Sequence, residues 1–404
     1  MIRDIPIVPA PDARARSAVS SHATRLATLP PLSLYVHIPW CVRKCPYCDF
    51  NSHEIRTDIP EDAYVEALTR DLEQALPLIW GRRIYTIFFG GGTPSLFSGA
   101  AVDRLLANLR ALLPLEYCSE ITLEANPGTF EAAKFRAFRA SGVNRLSIGI
   151  QSFNDRHLQA LGRIHDAREA RQAIEIAHRH FENFNLDLMY ALPEQSLTEA
   201  RQDIAEAIAA APTHISAYHL TLEPNTLFHR YPPRLPDDEV CADMQVAIEE
   251  SLSGAGFRHY ETSAFARPDR QARHNVNYWQ FGDYIGIGAG AHSKISSPHR
   301  IVRQMRHKQP RAYLDGVASG THIQEERVVN LDELPFEFMM NALRLTEGVP
   351  VALYAERTGL ALSGIEKMLN QAEQRGLMQR DHLIIRPSRR GQRFLNDLLQ
   401  IFLV

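Results

Sequence analysis

From Pro31 to about Pro224 the chain alternates short β-rich runs with amphipathic helical runs, and this alternation restricts its fold more than any other feature. The candidate strands are Ser33–Pro39, Ile84–Phe89, Glu120–Ala125, Arg145–Gln151, Asn185–Tyr190 and His214–Leu222. Helix-period segments lie between them. In Asp62–Leu76, for example, Tyr64, Leu68, Leu72 and Leu76 recur every fourth residue, a stripe able to face a sheet. Val102–Leu113, Phe130–Ala140, Ala167–Phe181 and Leu197–Ala211 repeat the type. Strands separated by helices imply right-handed parallel crossovers. Six strands fall short of the eight that close a full barrel, so an open six-stranded (β/α)6 partial barrel is expected. A doubly wound open sheet is the competing topology, and periodicity does not separate the two.

Three prolines in Tyr231–Pro236 interrupt regular structure. Beyond them come a helix at Asp237–Leu252, a strand-like His259–Ala266, the segment Asn275–Trp279 and the glycine-rich Gly286–Gly290. The end of the chain reads as a smaller, mainly helical, winged-helix-like unit. Helical Leu334–Leu345, Val351–Arg357 and Ser363–Arg375 precede an extended His382–Pro387 and a final helix through Leu403. The recognition helix of a DNA-binding winged helix would need a basic stripe, but here Glu366 and Glu373 offset Lys367 and Arg375. A structural lid is expected, with no nucleic-acid partner. The resulting division is a flexible tail (1–30), an α/β core (31–228), a connecting region (229–328) and a C-terminal unit (329–404).

Composition narrows the class further. Across 404 residues, 44 basic side chains face 47 acidic ones, so no net field favours nucleic acid or anionic lipid. At 45% hydrophobic and 23% charged the chain is ordinary for a globular protein, which excludes a largely disordered one. No apolar run reaches the roughly 18 to 20 residues of a membrane span. The first 30 residues hold Pro6, Pro9 and Pro11 and no apolar core, which argues against a secretory signal. Asp4 and Asp12 argue against an organellar leader, so a cytoplasmic protein is expected.

Five cysteines stand at positions 41, 45, 48, 118 and 241. Three of them crowd into Cys41-Val-Arg-Lys-Cys45-Pro-Tyr-Cys48, a C-x3-C-x2-C loop directly after the first strand, where the active face of a parallel βα barrel opens. This is a poor disulfide framework and a good metal-site candidate. Three thiolates can hold three irons of a [4Fe–4S] cube, which leaves the fourth iron open to a ligand such as S-adenosylmethionine. The competing reading is zinc held by Cys3His, with His37 or His53 as fourth ligand, although no second cysteine pair is present. Cys118 and Cys241 read as small core hydrophobes.

Tyr35-Val-His-Ile-Pro-Trp-Cys41 followed by this loop resembles the radical S-adenosylmethionine superfamily. It is most similar to the branch holding the oxygen-independent coproporphyrinogen III dehydrogenases and the HemW-type haem chaperones. The resemblance spans nearly everything from Pro31 onward. It implies a radical-SAM partial barrel, a [4Fe–4S] cluster on Cys41, Cys45 and Cys48, and bound S-adenosylmethionine.

Gly90-Gly-Gly-Thr93-Pro94 follows the second strand and lacks the Lys-Ser/Thr of a phosphate loop. Glycines there let backbone approach a ligand where a Cβ would clash. By resemblance Gly91, Gly92 and Thr93 receive the methionyl amino group. Glu124, Gln151, Arg163 and Asp187 match positions that contact the cofactor: a carboxylate can accept ribose hydroxyls and Arg163 can pair with the methionyl carboxylate. Tyr35 and Tyr47 match aromatic positions beside it. Ala191 departs from the glycine common in relatives, and a small local effect is expected.

Two further departures separate the relatives. The dehydrogenases continue C-x3-C-x2-C-x-C, and here Phe50 stands in place of the fourth cysteine. His274-Asn-Val-Asn-Tyr278-Trp279 resembles the H-N-x-x-Y-W motif of the haem chaperones. Histidine is a usual axial ligand to haem iron, and Tyr278 and Trp279 offer flat apolar surface. Read without the motif, His274 is a hydrogen-bonded surface histidine. The resemblance therefore implies a haem chaperone that carries haem as cargo to haem-requiring respiratory proteins, without coproporphyrinogen dehydrogenase activity. An oxygen-independent coproporphyrinogen III dehydrogenase is the alternative.

Overall fold

Six parallel strands follow one another across the sheet in the order in which the chain makes them. The computed structural model describes residues 24–129 and 131–403. Its strands are β1 (Leu32–Ile38), β2 (Ile84–Gly91), β3 (Leu115–Ala125), β4 (Arg145–Gln151), β5 (Phe184–Tyr190) and β6 (His214–His219). Each is hydrogen-bonded in parallel to the next. A doubly wound sheet reverses direction at a switch point. No reversal occurs within this run, and the open barrel is the fold.

The crossovers are α1 (Glu61–Ile79), α2 (Gly99–Leu112), α3 (Ala132–Ser141), the short α4 (Asp155–Ala160) with α5 (Ala167–His180), and α6 (Leu197–Ala209). Tyr64, Leu68 and Leu72 of α1 are fully buried against the sheet, as their four-residue spacing requires. Capping boxes start α5 (Asp166 with Glu169) and α6 (Ser196 with Glu199), satisfying backbone N–H groups that have no partner within the helix. Phe130, the expected first residue of the third helical run, lies outside the described residues. Both faces of the strands are covered, so Leu34, Val36, Ile87, Phe89, Ile148, Ile150, Leu186 and Leu188 all lie in one core.

The sheet is larger than the six expected strands. On the β6 side it adds β7 (Arg258–Glu261) and β8 (Ala264–Ala266), and on the β1 side β9 (Asp283–Ile287), β10 (His292–Ser297), β11 (Arg300–Arg306) and β12 (Ile323–Val328). The full order is β12-β11-β10-β9-β1-β2-β3-β4-β5-β6-β8-β7. β9 lies parallel to β1, and the other added strands run antiparallel to their neighbours. Buried ion pairs tie this extension down. Lys294 Nζ sits 3.0 Å from Asp283 Oδ1, and Arg306 sits 3.1 Å from Asp71 of α1, whose carboxylate also accepts from Tyr313. Two helices, α7 (Leu227–Arg230) and α8 (Asp238–Gly254), lead from β6 to β7. Between β8 and β9 lies α9 (Arg273–Trp279), packed against β1, β2 and β9, and α10 (Pro310–Ser319) connects β11 to β12.

In the C-terminal part α11 (Leu334–Ala342), α12 (Val351–Thr358) and α13 (Glu366–Gln374) surround a small antiparallel sheet of Val349–Pro350, Ile384–Pro387 and Met378–Arg380. The expected final helix is two short ones, Arg389–Arg393 and Leu395–Gln400, separated at Phe394. Phe338 of α11 packs on Phe281 at 5.8 Å, so this part shares a core with the extended sheet. Of the expected tail, residues 1–23 lie outside the described set. From Thr24 on the chain is packed: Thr24 and Leu26 are buried, and Leu26 N–H donates to the Pro298 carbonyl.

Candidate cofactor site at the barrel rim

The Cys41–Cys48 loop leaves the C-terminal end of β1 and is cinched where it returns. His53 N–H donates to the Pro39 carbonyl at 2.7 Å and Ile55 N–H to that of Cys41 at 2.9 Å. Inside the loop Cys48 N–H bonds the Cys45 carbonyl, a tight turn. All three cysteines are free thiols on the wall of one cavity of about 620 Å3. Burial pushes the thiols of Cys41 and Cys48 up, and each also feels its sulfur neighbours.

The same cavity receives the ends of the next four strands, as the consecutive order dictates. Gly91 closes β2, and Gly92 leads into Thr93. A Cβ on Gly91 (φ +113°) would come within 2.6 Å of the His37 ring, and one on Gly92 within 2.5 Å of the Trp40 carbonyl oxygen. Only glycine lets this turn lie against the cysteine loop. Glu124 of β3, Gln151 of β4 and Asp187 of β5 also line the cavity, together with Arg163 and Tyr47. Gln151 has φ +68°, a strained conformation at the tip of its strand. Ala191 likewise has φ +57°, which explains physically why glycine suits that position.

A residue absent from the sequence reading joins these parts. Asn126, just past β3, donates from Nδ2 to Thr93 Oγ1 at 2.9 Å and accepts from Arg163 Nη2 at 2.6 Å. Thr93 Oγ1 in turn donates to Cys41 Sγ at 3.5 Å, and Arg163 Nη1 to Cys45 Sγ at 3.7 Å. A hydrogen-bonded chain thus runs from one cysteine to another through side chains of three separate loops. Arg163 Nε is buried without an acceptor.

Of the carboxyl groups lining the cavity, Glu124 and Asp187 act on each other. Burial, reinforced by repulsion from Asp187, raises Glu124 to about 8, against the pull of the Gly91 N–H. Asp187 is also raised by burial, although Ser147 and Asn185 donate to its two oxygens at 2.9 and 2.7 Å. His214 and Ser216 extend this polar ladder down the barrel interior by bonding Asn185.

Two expected residues lie elsewhere. Tyr35 lines a second cavity, of about 650 Å3, which shares Asp49, Phe50, Gly91 and Glu124 with the first. His274, on α9, lines neither. It is 1% exposed, with Thr86 Oγ1 2.8 Å from Nδ1 and the Tyr278 hydroxyl 3.2 Å from Nε2, while Phe88 stacks on its ring. Burial lowers it to about 3 and keeps the ring neutral, so it is a buried imidazole engaged at both nitrogens and not a surface one. Tyr278 and Trp279 do reach the second cavity. Cys118 is exposed and not a core residue, and Cys241 is half-buried with its thiol toward the Pro236 carbonyl.

The donor set fits a cluster better than zinc. His37 is engaged at both ring nitrogens, by Tyr35 OH at 3.0 Å and the Asn51 carbonyl at 2.8 Å. His53 Nε2 faces Asn51 and the Lys308 carbonyl. Three thiols on the cavity wall, a glycine turn packed against their loop and a guanidinium with an unused buried donor suit a cluster carrying an anionic ligand group.

Residues 35–207 match the family described as the Radical SAM superfamily, whose members use a [4Fe–4S] cluster and S-adenosylmethionine, and residues 329–394 match the HemN C-terminal domain. The chain is 48% identical over 380 residues to "Heme chaperone HemW" of Escherichia coli K12, covering 94% of this chain and all of that one. Its namesake in Haemophilus influenzae is 47% identical, over 93% of this chain and 98% of its own. The solved coproporphyrinogen III oxidase HemN of E. coli, a radical SAM enzyme, superposes with a TM-score of 0.79 at 24% identity, covering 93% of this chain and 90% of that one. Fold and site together define a radical SAM protein. Within that superfamily the chain belongs to the HemW family.

Proposed function

We propose that this chain is a cytoplasmic haem-trafficking protein that binds haem, holds a [4Fe–4S] cluster with S-adenosylmethionine, and delivers haem to haem-requiring respiratory proteins. The observation that carries the reading is the 48% identity, spread over 94% of the chain, to a relative named a heme chaperone. Phe50, in place of the dehydrogenases' further cysteine, agrees with it. The likeness to HemN, at 24% identity, bears on the fold alone. Among the described residues no helix is long and apolar enough to cross a membrane.

In this reading Cys41, Cys45 and Cys48 ligate the cluster, which when bound supplies one-electron reducing chemistry at its open iron. Arg163 pairs with the methionyl carboxylate, using the donors that Asn126 orients. Gly91, Gly92 and Thr93 would receive the amino group, and Glu124 and Asp187 would accept hydrogen bonds from ribose hydroxyls. Gln151 and Tyr47 complete the pocket wall. Haem titrated into the reconstituted protein is expected to shift the Soret band. Coproporphyrinogen III supplied with reductant and S-adenosylmethionine is expected to yield no protoporphyrinogen. Catalytic turnover of that substrate, without haem binding, would reverse the assignment.

A further inference from the structure

The second cavity has a composition that the cluster site does not use. One wall is aromatic: Tyr278 and Trp279 at the end of α9, and Tyr284 of β9 set edge-on to Tyr278 at 4.4 Å. Lys44 and Lys308 also line it, as does His292, the first residue of β10. At about 650 Å3 it falls within the roughly 300–1,000 Å3 of pockets that hold cofactor-sized molecules. Phe50, Gly91 and Glu124 form the partition between it and the cysteine-lined cavity.

Resting on the haem-binding reading above, we infer that this cavity is the haem seat, with His292 and not His274 offering a nitrogen to the iron, and Lys44 and Lys308 facing the propionates. Three imidazoles are near enough to compete. His37 and His274 each have both ring nitrogens engaged by neighbours and are buried. His292 is exposed on the cavity side, and among the described residues its ring has no hydrogen-bond partner. Burial of its inner edge and the nearby cations Lys308, Arg303 and Arg306 outweigh Glu325 and hold it neutral, the form that ligates metal. Tyr278, Trp279 and Tyr284 supply the apolar faces a porphyrin needs, and the two ammonium groups supply charge for its carboxylates. His274 then has a positioning role, because its Nε2 holds the Tyr278 hydroxyl and so sets the aromatic wall.

The test is haem titration into reconstituted full-length wild type and the variants His292→Ala, His292→Met and His274→Ala, read by absorption and magnetic circular dichroism. Wild type and His274→Ala are expected to show an imidazole-ligated iron. His292→Ala is expected to lose that signature and to regain it when free imidazole is added. His292→Met is expected to give a thioether-ligated spectrum, which also shows that the altered protein is folded. An unchanged imidazole signature in His292→Ala with haem still bound would overturn the assignment of His292 alone. Absence of haem binding by wild type would overturn the function proposed above, and this site with it.

Discussion

Arg163 and Cys45, 118 positions apart in the chain, meet at 3.7 Å across the barrel rim, while the same guanidinium donates to Asn126 Oδ1 and the Gly149 carbonyl. The arginine is therefore fixed on three sides before any ligand arrives. Replacing Arg163 with lysine keeps the charge and loses the fork. A charge-assisted hydrogen bond is worth about 1.5–3 kcal/mol, so S-adenosylmethionine should bind roughly ten- to a hundredfold more weakly. Equilibrium binding to anaerobically reconstituted protein measures this, and an unchanged Kd would count against the role of Arg163.

Asn126 is the middle member of the Thr93–Asn126–Arg163 chain. Asn126→Ala leaves two buried polar groups short of a partner, at about 1–3 kcal/mol each. The expected outcome is a lower denaturation midpoint together with faster loss of iron to a chelator. Retention of iron at the wild-type rate would show that the chain of bonds does not support the cysteine loop.

Glu124 sets a pH dependence whose sign follows from its raised value. Its folded pKa, about 8, lies above the ordinary 4.5, so the folded state binds the extra proton between these values. Its contribution to stability is fully present below about 4.5 and is lost as pH rises through about 8. Cofactor-free Glu124→Gln should melt above wild type at pH 8, with the gap closing toward pH 5. A pH-independent gap would contradict the shift.

Asp71 gives the opposite slope. Arg306, His322 and Tyr313 all reach its buried carboxylate, and the Arg306 charge leads the groups that hold it below the usual 3.8 despite burial. Its contribution is present above that value and lost as pH falls through the lower folded one. Asp71→Ala leaves Arg306 buried and unpaired, at a cost of about 3–5 kcal/mol. Chemical denaturation should show the loss, and a near-neutral result would mean that α1 and β11 do not depend on this pair.

The six barrel strands were legible because strands covered on both faces are apolar along their length, and the helices because a buried stripe repeats with the turn. Strand order was not legible, since periodicity says nothing about neighbours. β9 escaped notice because Gly286 breaks a five-residue run. The edge strand β12 escaped because Glu325, Glu326 and Arg327 mask its pattern, a composition that also discourages pairing with other chains. At the site, motif spacing brought Cys41, Cys45, Cys48, Gly91, Thr93, Glu124 and Arg163 to notice, and the structure gathers them on one cavity. Asn126 went unnoticed because it belongs to none of the motifs, and its partners Thr93 and Arg163 lie 33 and 37 positions away. His274 drew attention through its motif, but its partners Thr86 and Glu120 lie 188 and 154 positions away, so its burial could be found only in the fold. Cys118 was misplaced because it falls in the outer part of β3, beside the almost fully exposed Tyr117, before that strand enters the core.

The proposition on which the site rests is that three cysteines hold a cluster and leave one iron for S-adenosylmethionine. Iron and sulfide analysis of the anaerobically reconstituted protein, joined to electron paramagnetic resonance of the reduced sample, tests it most directly. The expected result is close to four iron and four sulfide per chain, with a resonance that changes when S-adenosylmethionine is added. Stoichiometric zinc without sulfide, or a resonance indifferent to S-adenosylmethionine, would contradict it.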